Sequence, residues 1–126
     1  MSFKINGLLF FFLFFIGVLS TQAQVELVRQ PYLNAATQSG VTIRFRSNQL
    51  CNGIVKYGTL PTNLTAQVIS QSTTEHVFTI TGLQSFTKYY YQCFCDNVAL
   101  TVADSSYFFK TLPINSYDGP INIWAI

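Results

Sequence analysis

From residue 41 the chain reads Val-Thr-Ile-Arg-Phe-Arg, apolar and polar side chains in strict alternation. A period of two sends Val41, Ile43 and Phe45 to one side of an extended backbone and Thr42, Arg44 and Arg46 to the other. Such a segment buries one face and wets the other, as antiparallel strands packed on one side do. Ser39-Gly40 ahead of it supplies a turn. The pattern recurs. Residues 53–58 place Val55 and Tyr57 on one face and Lys56 on the other, before a loop over 58–63. A weaker strand lies near residues 66–69. Residues 75–80 align His76, Phe78 and Ile80, and residues 88–95 align Tyr89, Tyr91, Cys93 and Cys95. Residues 107–110 close the set, and 31–33 fit an edge strand, where Pro31 is tolerated. No segment carries helical spacing between caps. Seven short strands with turn residues about every eight to twelve positions predict an all-β, seven-stranded antiparallel sandwich of immunoglobulin-like size.

The first residues do not belong to that pattern. Residues 8–19, LLFFFLFFIGVL, hold five of the twelve phenylalanines, with Lys4 before them and Thr21-Gln22-Ala23 after. This is the layout of a secretory signal peptide, residues 1–23, cut ahead of Gln24. As a helix the run would rise roughly 18 Å, short of a bilayer core of ~30 Å. A retained anchor is the alternative, and no cysteine follows to carry a lipid. The expected location is therefore secreted, periplasmic or extracellular, with no membrane attachment after cleavage.

Of the seven Lys and Arg, Lys4 precedes the cut, and five Asp and Glu balance the rest. Near-neutrality argues against nucleic-acid binding, which needs clustered cations. The aromatic content argues against disorder. One histidine, five acids and three cysteines cannot build a self-contained metal-dependent active site.

Several pieces, in order, carry a family resemblance. Leu83-Gln84-Ser85-Phe86-Thr87-Lys88-Tyr89 is similar to the corner of fibronectin type III-like sandwiches, where a tyrosine six residues after a leucine caps the turn with its hydroxyl. Ser85 stands where proline is commonest. Arg29-Gln30-Pro31-Tyr32-Leu33-Asn34 resembles the opening of the N-terminal domain of purple acid phosphatases. Val55-Lys56-Tyr57-Gly58 and His76-Val77-Phe78-Thr79-Ile80-Thr81-Gly82-Leu83 resemble two further stretches of that domain. The sandwich is expected over 24–112, with a linker over 113–120. The uncharged run 121–126, INIWAI, resembles the first strand of the metallophosphoesterase domain that follows in this family. The resemblance implies a two-metal centre, iron with zinc, manganese or iron, in a C-terminal catalytic domain of the same polypeptide. It implies no catalytic, metal-binding or cofactor-binding residue here, because no position matches the ligand motifs.

The remaining candidates are structural. Cys93-Phe94-Cys95 lacks the spacing of a zinc knuckle, and in an exported protein a disulfide is the better reading. If Tyr57 lies across from Tyr89 on antiparallel neighbours, Cys51 lies across from Cys95, because both pairs share one index sum. A two-residue shift favours Cys51–Cys93 instead. The cysteine left over is expected as a buried thiol. His76, on an inward face, reads as a hydrogen-bonded core residue rather than a proton donor. Tyr89, Tyr90, Tyr91, Tyr107, Phe108 and Phe109 split by alternation into core residues and an exposed remainder that could cover a catalytic domain. Asn63-Leu64-Thr65 is a glycosylation sequon. Together these describe the non-catalytic N-terminal part of a secreted purple acid phosphatase-like metallophosphoesterase. The alternative is an exported adhesion or carbohydrate-binding module with no enzymatic partner.

Overall fold

In a computed structural model the described residues are 23–115 and Gly119. The expected signal peptide apart from Ala23 and the expected strand over 121–126 lie outside them, as does half of the linker. Six strands form: β1 (Leu27–Asn34), β2 (Val41–Gly58), β3 (Ala66–Ile80), β4 (Lys88–Cys95), β5 (Val98–Ala99) and β6 (Phe108–Lys110). The seven expected runs appear as six strands because two pairs run on without a break. Residues 41–46 and 53–58 are both β2, residues 66–69 and 75–80 are both β3, and the two-residue β5 is added.

All strands pair antiparallel within one curled sheet. The first half of β2 lies between β1 and the end of β3, while its second half lies between the start of β3 and β4. Strand β4 then carries β5 and β6 on its other edge. Long β2 and β3 thus serve both layers and turn together through a crease. The β2–β3 register slips between Arg46 and Cys51 and again between Asn52 and Ile54. Such bulges bend a strand without ending its ladder. The stretch SNQLCN, between the two expected runs 41–46 and 53–58, stays in strand at the crease.

Alternation places the core. Val41, Ile43 and Phe45 from one layer meet Val55, Tyr91, Cys93 and Phe109 from the other, with Phe78 and Ile80 beside them. Phe45, Ile43 and Val55 are wholly buried, each contributing about 1.5–3 kcal/mol relative to an exposed side chain. The pairing of β2 with β4 corrects the expected register by two residues: Tyr57 faces Tyr91, not Tyr89. Tyr89 pairs instead with Phe109 of β6, and their rings stack at 5.5 Å. Its contact with Tyr57 survives edge-on at 6.4 Å.

At the start of β4 the chain turns through the corner. Gly82 and Phe86 take left-handed backbone angles of +71° and +49°. The Tyr89 hydroxyl accepts the Gln84 N–H at 2.9 Å while its ring is buried. Half-buried Leu83 packs on the core, and its N–H donates to Ser39 O at 2.9 Å. Thr111, which sequence patterning does not mark, is buried there. Its hydroxyl donates to Gln84 O at 2.6 Å and accepts the Thr87 N–H at 3.0 Å. Tyr89→Phe keeps the ring and strips the cap from the Gln84 N–H. It is expected to cost about 1–2 kcal/mol in urea unfolding, and a change below about 0.3 kcal/mol would show that the hydroxyl holds nothing.

Candidate functional site

The inward parity of Val41, Ile43 and Phe45 runs on to Ser47 at the crease, where it meets His76 of β3. His76 is 0% exposed and stacks on Phe45 at 4.6 Å between ring centroids. Its Nε2 lies 3.0 Å from Ser47 Oγ, and its Nδ1 lies 3.1 Å from Ser70 Oγ. The network assigns the tautomer. Ser47 has one hydroxyl hydrogen and donates it to Gln49 O at 2.8 Å, so Nε2 carries the hydrogen that Ser47 accepts. Ser70 accepts the Gly53 N–H at 3.1 Å and donates to Nδ1. Gly53 is required by close approach: a Cβ there would run into the His76 imidazole and the Phe78 ring.

The same crease holds the cysteines. Cys51 and Cys95 form a disulfide with Cα atoms 5.5 Å apart. Gly53, not Cys51, faces Cys95 in the ladder. The bridge is therefore diagonal, made where β2 bulges and where the Asp96 N–H donates to Asn52 O at 2.8 Å. Cys51 Sγ lies 3.6 Å from His76 Nε2. Cys93 is the free thiol, fully buried, and burial pushes its pKa up to about 12. A thiol held in that state is a core side chain rather than a nucleophile. Cys51, Cys95 and His76 thus cluster at one end of β4 and Tyr89 lies toward the other, with Leu83 in the corner beyond it. Ser47 and Ser70 escape sequence reasoning, although continuing the alternation two residues past Phe45 would have pointed Ser47 inward.

The outer face of β2, β4 and β6 presents a second constellation. Lys88 Nζ sits 4.1 Å from the Phe108 ring centroid and 5.1 Å from that of Tyr90. Lys110 lies 3.6 Å above Phe86, and Lys56 lies 4.8 Å from Phe94. Lys88 and Lys110 are directly opposite in the ladder, a repulsion that the ring faces offset. Of the aromatic set, Tyr89, Tyr91 and Phe109 are buried, while Phe108 is 39% exposed and Tyr90 is half-buried.

Neither constellation fits a two-metal centre. Among the described residues no group of three His, Cys, Asp or Glu could hold a metal ion, and both nitrogens of His76 are engaged by serines. What the arrangement offers is a sealed polar crease and two open outer faces.

Two creased central strands, a disulfide between the neighbouring strands β2 and β4 at the crease, and a tyrosine-capped corner define a β-sandwich of the immunoglobulin-like class. Within that class the chain belongs to the family described as Purple acid Phosphatase, N-terminal domain, whose model matches residues 28–111. No curated protein matches the sequence. Among solved structures, the sensor domain of the anti-sigma factor RsgI4 from Pseudobacteroides cellulosolvens is similar in fold. Its short form aligns with a TM-score of 0.54 at 17% identity, covering 75% of this chain and 100% of that one. Its long form gives 0.54 at 16%, covering 80% and 100%, and its solution structure gives 0.51 at 11%, covering 83% and 92%. At these identities the likeness concerns the fold alone.

Three outcomes follow from the crease and its cysteines. Desolvation holds the His76 pKa below its ordinary value of 6.5, against a smaller raising effect of Glu75. The unfolded chain therefore takes up a proton that the folded chain refuses. Stability from this source is complete above pH 6.5, falls as the pH drops below it, and levels off only below the folded value. Between pH of about 7.5 and about 5, the wild type should lose more stability than His76→Gln, by at most about 1.4 kcal/mol per pH unit. Parallel curves for the two proteins would remove His76 as the cause.

The disulfide closes a loop with a sequence separation of 44, so Cys51→Ala with Cys95→Ala should cost about 2–4 kcal/mol in denaturant melts. Alkylation under non-reducing conditions should modify Cys93 only after unfolding. Rapid labelling of the folded chain would contradict its burial.

Proposed function

We propose that this sandwich is the non-catalytic N-terminal domain of a secreted purple acid phosphatase-like metallophosphoesterase, bracing a C-terminal catalytic domain in the same polypeptide. The family match over residues 28–111 carries the reading, since it spans the sandwich from β1 to β6. The apolar run over 8–19 and the small residues after it support export. In this reading the phosphate ester substrate and the iron-containing metal pair belong to the catalytic domain. The lysine–aromatic face, with the Lys88 and Lys110 ammonium groups over Phe108, Tyr90 and Phe86, is the surface suited to pack against it.

The chain alone should leave p-nitrophenyl phosphate unhydrolysed with added iron, zinc or manganese, and turnover would place catalytic residues within it. The decisive observation is the coding sequence past Ile126. Glycine–aspartate followed by histidine-rich loops supports the reading, and a stop or a polar linker overturns it. The second outcome would favour the exported adhesion or carbohydrate-binding module.

A further inference from the structure

All three arginines of the chain lie on one surface, the outer face of the layer built from β1, the first half of β2 and the end of β3. Arg29 of β1 is paired with Arg46 of β2, which is paired with Glu75 of β3. In the next row Tyr32 is paired with Arg44, and Arg44 with Val77. Directly paired residues share a face, so these six side chains form two adjacent rows. The row beyond, Asn34, Thr42 and Thr79, is polar and uncharged.

The charges on this surface do not cancel. Glu75 is its one carboxylate and meets Arg46, Nε to Oε1, at 3.4 Å, with both side chains about half exposed. Arg44 Nε is buried and has no hydrogen-bond partner among the described residues. That nitrogen is closed to solvent and so to a ligand on this surface, but the charge of half-buried Arg44 still adds to the face. The three lysines of the described residues stand on the opposite outer face, each above an aromatic ring. The cations are thus divided, lysines over rings on one face and, on the other, exposed Arg29 and Arg46 with half-buried Arg44.

We propose that the arginine face binds an acidic glycan, a polysaccharide chain bearing carboxylate or sulfate groups. The oxyanion requirement comes from the guanidinium forks, which match such groups two bonds at a time. Extended placement favours a chain over a single small ion. Arg44 and Arg46 are about 7 Å apart along β2 and Arg29 is about 5 Å across from Arg46, by strand geometry. Several weak contacts to repeated anions then add on one molecule. A dry protein interface is disfavoured, because covering the face would strip water from its arginines for the sake of two apolar side chains, Tyr32 and Val77. Tyr32, 37% exposed beside Arg44, gives a sugar ring a flat surface, and the polar row gives its hydroxyls partners. This inference stands apart from the phosphatase reading and survives its failure.

The test is affinity electrophoresis of the full chain through gels holding polygalacturonate, dextran sulfate or neutral dextran, with inorganic phosphate as a competing small ion. Retardation by at least one polyanion, weakening with salt, is expected, and the gel that retards identifies carboxylate or sulfate as the anion recognised. Arg29→Gln with Arg46→Gln, both at exposed positions, should weaken it at least tenfold. Lys56→Gln with Lys110→Gln, the same loss of charge on the other face, should change it less than twofold. The proposal is overturned by an absence of retardation, by equal loss in the lysine pair, by equal retardation in neutral dextran, or by displacement with phosphate at matched anion concentration. Arg46→Gln alone, removing one exposed cation, should give an intermediate loss; no loss there and none in the double variant equally overturns the site.

Discussion

The close contact between the Gly53 backbone and the His76 ring decides where the two layers can fold over each other. Strands β2 and β3 cross from one layer to the other together, and they can do so only where a bend leaves few buried polar groups unpaired. Gly53 lets the imidazole in, Ser47 and Ser70 satisfy its two nitrogens, and the adjacent bulge brings Cys51 beside Cys95. Each part supports the others. A side chain at Gly53 displaces the histidine, and a displaced histidine leaves two serines to find new partners inside the sandwich.

That dependence also shows why the crease was poorly legible from sequence. The strand over 41–46 announces itself, because its inner residues are large and apolar and its outer residues are charged. After Phe45 the inward positions become Ser47 and Cys51, and a polar residue pointing inward looks like the end of a strand. The signal that the strand continues is tertiary: Ser47 is acceptable inside only because His76 stands opposite. The same holds for Thr111, whose burial makes sense once its hydroxyl is seen between Gln84 O and the Thr87 N–H. Local pattern identifies strands through their apolar content, and it loses them where a hydrogen bond replaces an apolar contact.

The cysteines teach a related lesson about register. Reasoning from aligned strands proposes Cys51 with Cys95 by placing Tyr57 across from Tyr89. The ladder instead places Tyr57 across from Tyr91, and the bridge still joins Cys51 to Cys95 through the bulge. The pair and the register therefore have different physical causes. The register follows from Tyr89 being taken by Phe109 and the corner, whereas the bridge follows from the bend at Asn52. Tyr89 itself was legible because the corner is local: leucine, turn and tyrosine lie within seven residues, and no distant partner is needed to recognise them.

The partition of cations over the two outer faces has a cause in side-chain chemistry. A lysine can hold its ammonium over the face of an aromatic ring, as Lys56, Lys88 and Lys110 do, so a face carrying Phe86, Tyr90, Phe94 and Phe108 keeps charge at its surface without losing its capacity to be covered. The three arginines on the opposite layer have Tyr32, Val77 and one carboxylate, Glu75, beside them, so most of their charge is left to act outward. A sandwich with such faces can meet two different neighbours at once, one apolar and large, the other anionic and extended. The sealed crease between them contributes rigidity: with His76 neutral and the disulfide closed, neither face can shift its strands without breaking the network that joins the layers.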